Sequence, residues 1–219
     1  MRAFDDADVL TFALNLEYLE AEFYAVATTG RPLASGDTDG SGNAGRTTGG
    51  ARVPFKSDQL AKLAREIARD ELDHVRFLRT ALGRGAVAKP AINLDALGLG
   101  FRDDSEFITL ARAFEDVGAS AYRGAAKLIK NVDFLDAAAG ILATEAYHAG
   151  NLRAHSVYGN AKAPKLDAKD QPPTDNNWFP TDRNGILVGR TPAEVGEIVR
   201  GKDASGGAYF PQGLNGTIR

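Results

Sequence analysis

The residue types best placed to do chemistry are glutamate and histidine, which recur at a fixed spacing. Glu71 precedes His74 by three residues, and Glu145 precedes His148 by three. Positions three apart on a helix lie ~60° from one another on one face, so each pair can reach a common point. One Glu-x-x-His pair arises easily by chance on a solvated helix face, but two copies favour paired metal sites.

A second pattern, Glu-x6-Tyr, also occurs twice. Glu17 precedes Tyr24 by seven residues, and Glu115 precedes Tyr122 by seven. Seven residues advance a helix by ~700°, within ~20° of two full turns, so each glutamate shares a face with its tyrosine. Apolar residues flank both glutamates, so we expect these carboxylates to be buried. Taken singly, each tyrosine is better explained as a core aromatic with a satisfied hydroxyl, and only the paired spacing puts a functional role on an equal footing.

The four motifs lie on four long segments with helical periodicity, one motif on each. Ser57 precedes the second segment as a cap, and Gly30 and Gly83 end the first two. An acidic cluster precedes the first segment and another precedes the third. The predicted helices span approximately residues 7–28, 58–82, 105–130 and 133–158.

The connections between these segments suggest how the helices are arranged. Residues 83–104 are irregular, and at ~3.3 Å per residue they can span more than the ~35 Å length of a long helix. The second and third helices can therefore run parallel. Only Asn131 and Val132 separate the third and fourth segments, which predicts an antiparallel hairpin. Strand signals are nearly absent, so the predicted fold class is all-α, a four-helix bundle with a long crossover between helices 2 and 3.

The predicted domain organisation is a bundle followed by an irregular extension. Residues 1–159 form the bundle, with a surface loop at 30–56, and residues 160–219 are expected to pack on it. Thr191-Pro192-Ala193-Glu194 is a capping box, which predicts one short helix near 191–200. The aromatic residues of the extension are expected to be packing anchors. They are Trp178, Phe179, Tyr209 and Phe210.

Burying the glutamates raises a problem of charge. Four isolated carboxylates in apolar surroundings would cost far more than a domain's stability of about 5–15 kcal/mol. Two divalent cations would cancel the four negative charges. Glutamate oxygen and neutral histidine nitrogen, without any cysteine, suit Fe, Mn or Zn, and carboxylates that can bridge favour a binuclear site.

Composition excludes several other classes of protein. The 219 residues carry 26 Lys+Arg against 29 Asp+Glu, which gives no electrostatic basis for binding nucleic acid. No uninterrupted apolar run approaches the ~18 residues of a membrane span. The N-terminal residues lack the apolar region of a signal peptide. The compartment stays open: cytoplasmic as the sequence is written, periplasmic or secreted if a leader was removed.

The motifs resemble those of a known group. Residues 7–158 resemble the ferritin-like superfamily, and their glutamate and tyrosine spacing is most similar to that of bacterioferritin and rubrerythrin. More narrowly, LNLEYLEAEFY at 14–24, together with a tail through FPQGLNG at 210–216, resembles the ferritin-like desiccation-related proteins. The broader resemblance covers about two-thirds of the chain, and the narrower one nearly all of it.

The resemblance implies a role for each motif residue. Glu17 and Glu115 would each bind one metal, Glu71 and Glu145 would bridge two metals, and His74 and His148 would each complete one site. Tyr24 and Tyr122 would hold ligand carboxylates in place. Asp70 would orient an opposing histidine, but Thr144 stands at the corresponding position before Glu145, so the two sites are expected to be unequal.

The implied function is a di-metal protein, with iron favoured, that oxidises Fe(II) with O2 or peroxide in stress or desiccation protection. One alternative is a non-enzymatic stress protein in which the metal is structural, and another is peroxide removal by a di-manganese site. The expected partners are metal ions with O2 or H2O2, and a homodimer is compatible with the sequence.

Residues close to the motifs have plainer interpretations. Glu20 and Glu22 lie ~300° and ~140° around the helix from Glu17, so we expect them to be solvated or salt-bridged, with Glu20 as the fallback ligand. Glycines within the predicted helices suggest close helix approach or room near the site, or simply packing. These glycines are Gly118, Gly124, Gly140 and Gly150.

Overall fold

The structure is a computed structural model that describes residues 4–200 and 209–218. Its helices are α1 (Asp6–Thr29), α2 (Asp58–Leu82), α3 (Asp104–Ala125), α4 (Val132–Tyr158) and α5 (Pro192–Arg200). Two short strands, β1 (Thr47–Thr48) and β2 (Ile92–Asn93), complete the regular elements of these residues. The predicted all-α class and helical bundle are confirmed. Within the described residues, no helix is both long enough and apolar enough to cross a membrane.

Local sequence signals set the starts of the helices. Asp5 caps α1 in a reciprocal pair with Asp8, and Ser57 accepts a hydrogen bond from the backbone N–H of Leu60 at the start of α2. Asp103 caps α3 in the same way. Gly30 ends α1 in the left-handed conformation, at φ 75°, which glycine adopts without strain.

Helix α3 is shorter than the sequence predicted. It ends at Ala125 and continues only as a 3-10 turn, Ala126–Leu128. The backbone N–H groups of Lys130 and Asn131 donate to the Asp6 carboxylate at 2.8 and 2.9 Å, which removes them from a continuing helix. Asn131 then caps α4. The prediction that two residues separate the helices was therefore wrong, because contacts with α1 decide the boundary.

Helix α1 packs chiefly against α2, and α3 packs against α4. Helix α1 is buried around nearly its whole circumference. The apolar core between the pairs includes Leu14, Phe23, Ile67 and Phe107, all fully buried. Helix α2 buries one face and exposes charged residues on the other, as an outer helix of a bundle should. This arrangement directs the motif-bearing faces of all four helices inward.

The loop after α1 covers the bundle and pairs with the crossover after α2. Strand β1 lies parallel to β2, in the register Thr47 to Ile92. The sequence did not predict this pair, which joins segments far apart in the chain. Arg76 donates to Asp37, and Arg79 donates to Asp39, so the loop is fastened to α2.

The extension contacts the bundle at several points. Asn215 makes reciprocal hydrogen bonds with Asn15 of α1, each 3.0 Å long. Tyr209 and Phe210 are buried, as expected. Trp178 is half-buried and packs against the exposed Tyr158. Phe179 is 63% exposed, so its prediction as a packing anchor was wrong.

Buried ion pairs join the extension to α3 and α4. Arg112 and Arg153 both donate to Asp116, at 3.2 and 2.7 Å, and Arg112 also donates to Asp170 of the extension. Arg153 donates in addition to backbone carbonyls of the extension. The two buried cations and two anions balance, which makes their burial tolerable.

Candidate metal centre

All six glutamate and histidine residues of the motifs meet inside the bundle. Glu17 on α1, Glu71 on α2, Glu115 on α3 and Glu145 on α4 are fully buried. The histidine side chains are nearly buried, at 11% exposure for His74 and 7% for His148. The structure thus brings together every residue that the sequence predicted as a metal ligand.

The first cluster, which we call the His74 group, comprises Glu17, Glu71, His74 and Glu145. One donor atom from each lies within 4.8 Å of the others. The Nδ1 atom of His74 lies 3.3 Å from Glu17 Oε2, 3.5 Å from Glu71 Oε2 and 3.6 Å from Glu145 Oε1. Helices α1, α2 and α4 all contribute to this group.

The second cluster, the His148 group, comprises Glu71, Glu115 and His148, with donor atoms again within 4.8 Å of one another. The Nδ1 atom of His148 lies 3.0 Å from Glu71 Oε1 and 3.1 Å from Glu115 Oε2. Glu71 therefore belongs to both groups, as a bridging carboxylate requires. Glu145, the other predicted bridge, belongs only to the His74 group.

The donor atoms suit metal ions better than they suit one another. Glu71 and Glu145 each have both carboxylate oxygens buried without a hydrogen-bond partner among the described residues, and the same holds for the Nδ1 of His74. Such unpaired buried groups are costly. Donors that share one ion, each about 2.1 Å from it, lie about 3.0–3.5 Å apart in common geometries. The separations around His74 are close to this range.

Without metal, protons reduce the repulsion between the carboxylates. Burial raises the pKa of Glu71 to about 7, and the charges of Glu115 and Glu17 add to the effect. Burial and neighbouring carboxylates also raise the pKa of Glu145 well above its ordinary value. Burial alone would raise the pKa of Glu17 too, but His74 and Tyr122 hold it below the ordinary value.

Burial and the neighbouring carboxylates shift the pKa values of the two histidines in opposite directions. Burial would lower the pKa of His74, but Glu17 and Glu71 raise it to about 11. Burial would likewise lower the pKa of His148, but Glu115 and Glu71 raise it to about 11. The metal-free centre therefore holds several protons that bound cations would displace.

Each motif tyrosine faces a glutamate on a helix of the other pair. Tyr122 on α3 donates a 2.5 Å hydrogen bond to Glu17 Oε1 on α1. Tyr24 on α1 faces Glu115 on α3, and burial together with that charge raises the pKa of Tyr24 well above its ordinary value. The Tyr24 hydroxyl has no hydrogen-bond partner in the described part of the chain. Of the two tyrosines, Tyr122 makes the predicted hydrogen bond to a motif glutamate, and Tyr24 makes none with the described residues.

Asp70 occupies the position that the sequence suggested for it. Its Oδ2 atom lies 3.0 Å from Nε2 of His148, on the side of the ring opposite Glu71 and Glu115. A carboxylate at this position orients the ring and leaves Nδ1 directed at the carboxylates. On α4 the corresponding Thr144 donates instead to the carbonyl of Gly140. The two corresponding positions thus make different contacts, one with a histidine ring and the other with its own helix.

Glu20 differs from the expectation that it is solvated. It is buried, and its pKa is raised well above the ordinary value by burial and by the charges of Glu71, Glu17 and Glu115. A rotation of ~300° equals ~60° in the other sense, the offset that joins Glu71 to His74. The i, i+3 spacing from Glu17 was the signal. Glu22 is also buried but points to the loop side, where Lys89 lies 3.5 Å away.

Comparison with known proteins agrees with this architecture. The ferritin-like domain family matches residues 5–157, which include α1, α2 and α3 and all but the last residue of α4. No curated protein is significantly similar to the chain. The protein belongs to the ferritin-like domain family, and its buried glutamate and histidine cluster is compatible with a metal site.

Proposed function

We propose that this protein is a di-metal carboxylate protein, with iron as the metal, that oxidises Fe(II) with O2 or peroxide. The observation that carries the proposal is the pair of donor groups sharing Glu71 inside the bundle. A carboxylate from each of two helices and a Glu-x-x-His pair from each of the others form the di-metal ligand set of ferritin-like proteins.

The residues would divide the work of binding between them. His74 with Glu17 would hold one ion, and His148 with Glu115 the other, while Glu71 bridges and Glu145 adds charge to the His74 group. As a second bridge, Glu145 would have to turn toward the His148 group. Two adjacent Fe(II) ions supply two electrons together.

The overall reaction balances without further reactants. Two Fe(II) ions held by these residues would supply one electron each, which with two protons would reduce O2 to H2O2. If H2O2 is the oxidant, it accepts two electrons and two protons to give two water molecules. The residues keep this reaction away from bulk water, because the four ligand carboxylates are fully buried.

A small apolar cavity beside the centre supports a neutral oxidant. It has a volume of about 20 Å³, enough for one molecule the size of water. Ala13, Leu16, Ala121 and Ile129 line it, with Tyr122 at its edge. Since Tyr122 donates to Glu17, the cavity lies next to the His74 group. Its apolar lining suits an apolar molecule such as O2 better than a charged oxidant.

The biological setting that we propose is protection against oxidative stress or desiccation. The support is the resemblance of 14–24 and 210–216 to the ferritin-like desiccation-related proteins. In the structure these segments meet, since Asn15 and Asn215 bond to each other. The two segments that carry the resemblance therefore hold the extension against α1.

The first experiment is metal analysis of the protein purified from its native host. We expect about two metal ions per chain, mainly iron. Glu71→Ala and His148→Ala should lower the content. The matched controls are Glu66→Ala, on the exposed face of α2, and His155→Ala, seven residues beyond His148 on α4. Unchanged content in both site variants would contradict the assignment.

A second experiment distinguishes oxidation from a structural metal. Fe(II) is added to the metal-free protein in air, and O2 uptake and Fe(III) formation are followed. Turnover beyond two iron ions per chain supports the oxidase. Binding of two ions without turnover indicates the structural alternative. Rapid H2O2 removal by the manganese-loaded protein indicates the catalase-like alternative.

A further inference from the structure

Gly118 and Glu20 occupy equivalent positions in the two halves of the bundle. Glu20 follows Glu17 by three residues on α1, and Gly118 follows Glu115 by three on α3. The motif tyrosines then follow at the same distance in both helices. One half of the repeat therefore carries a carboxylate where the other half carries no side chain.

Side chains of other helices occupy the space that a side chain at position 118 would need. A Cβ added to Gly118 would lie 2.8 Å from Glu20 Oε1 and closer still to Glu145 Oε2. Two carboxylates from α1 and α4 thus converge on the bare backbone of α3. By contrast, a Cβ at Gly140 or Gly150 of α4 would meet nothing within 4 Å. Only Gly118 among these three makes room in the centre.

Two buried carboxylates can lie this close together only if a proton or a cation offsets their repulsion. Glu145 is fully buried, and neither of its oxygens has a hydrogen-bond partner among the described residues. Glu20 is buried against the same point, so a proton or a cation must offset their repulsion. The nearest donor groups that fit a cation are those of the proposed metal centre.

We infer that Glu20 is a seventh protein ligand of the metal centre, admitted to it by the absence of a side chain at Gly118. The inference rests on the proposed function. Four ligand carboxylates balance two divalent ions, so a fifth adds one negative charge. Glu20 would therefore favour a more positively charged ion pair, such as one Fe(II) with one Fe(III), over two divalent ions.

The test measures Mn(II) and Fe(II) binding to the metal-free full-length chain by anaerobic competition with a chelator. Glu20→Gln keeps the shape of the side chain and removes its charge. We expect it to weaken the binding of at least one ion about tenfold or more. Glu22→Gln is the matched control, because Glu22 is buried on the same helix but faces Lys89 and the loop. Its metal affinities should equal those of the wild type.

Thermal unfolding of the metal-free protein distinguishes a metal ligand from a residue that only stabilises the fold. Removing a carboxylate from a crowded acidic cluster should leave the metal-free protein as stable as the wild type, or more stable. The stabilisation by added Mn(II) should nevertheless shrink. A Glu20→Gln protein that is less stable without metal and unchanged in affinity would show a structural role and overturn the inference.

Gly118→Ala tests the space itself. Alanine favours helix over glycine, so the fold is not at risk, but its Cβ would displace Glu20 and Glu145 from their meeting point. We expect weaker metal binding than in Gly140→Ala, the matched control on α4. Equal affinities in both variants would contradict the inference. A wild-type chain that binds no ion would overturn the proposed function as well, whereas two ions bound equally by wild type and Glu20→Gln would overturn only this inference.

Discussion

In the His148 group, the imidazole is held on both sides: Nδ1 faces Glu71 and Glu115, and Nε2 faces Asp70. In the His74 group, the imidazole faces three carboxylates through Nδ1, and Thr144, which corresponds to Asp70, bonds to its own helix. A ring with an outer carboxylate has its orientation fixed in the metal-free protein.

The His148 group has the better-held histidine, whereas the His74 group has the more numerous and better-held carboxylates. The His74 group contains Glu145 and receives the Tyr122 hydrogen bond on Glu17. In the His148 group, Tyr24 faces Glu115, but its hydroxyl has no partner at hydrogen-bond geometry among the described residues. One group thus has the better-oriented histidine, and the other has more carboxyl groups and a better-held carboxylate. A repeated motif therefore gives two unequal sites, because residues outside the motif differ.

The largest effect is expected at the one residue that the two groups share. Glu71→Gln should abolish binding of both ions, because its oxygens belong to both groups. Glu115→Gln should abolish binding only in the His148 group. Metal content after gel filtration measures the difference, with Glu66→Gln as the control on the exposed face of α2. Retention of one ion by the Glu71 variant would show that the groups do not depend on a common ligand.

The pH dependence of stability tests a property that the two groups share, namely raised pKa values. The pKa of each histidine rises from 6.5 to about 11, and that of Glu71 rises from 4.5 to about 7. Groups whose pKa is raised by folding stabilise the protein fully below their unfolded pKa, and this stability is lost as the pH rises. The metal-free protein should therefore become less stable from pH 5 to pH 9, by up to about 1.4 kcal/mol per pH unit for each proton held.

Metal should reverse that trend, because cations compete with the same protons. The thermal midpoint of the Mn(II)-loaded protein should rise or stay level over the same range. Measuring both forms at each pH is the required comparison. The carboxylates with lowered pKa, such as Glu194 at about 2, act only below this range. A metal-free protein that gains stability toward pH 9 would contradict the charge assignment in both groups.

The next effect separates the groups. Asp70→Asn should weaken metal binding in the His148 group by about 10–100-fold, because the outer carboxylate orients His148. Thr144→Val should change nothing, since Thr144 bonds to Gly140 of its own helix. Thr144→Asp should strengthen binding in the His74 group by supplying the missing partner. Stepwise titration with Mn(II) resolves the two affinities. Equal effects of Asp70→Asn on both would disprove the asymmetry.

The sequence predicted the bundle and its inward motifs because both depend on local helical periodicity. Spacings of three and seven residues place Glu71 with His74 and Glu17 with Tyr24 wherever the helix lies. The same spacing also places Glu20 on the face of Glu17, because a rotation of ~300° is an offset of only ~60°. Contacts between distant segments were beyond such reasoning. One example is the end of α3, where the residues that follow donate to Asp6 of α1. Another is the pairing of β1 with β2.

The tyrosines show the same limit most clearly, since identical spacing gave different contacts. Tyr122→Phe should destabilise the metal-free protein by about 1–2 kcal/mol, because it leaves Glu17 Oε1 buried without its donor. Tyr24→Phe should be nearly neutral or slightly stabilising, because it removes a buried hydroxyl that bonds to nothing among the described residues. Urea unfolding of the two variants makes a matched pair, with the same atom removed from each half. If both lose equal stability, Tyr24 also holds its glutamate, and the two halves are more alike than their side chains indicate.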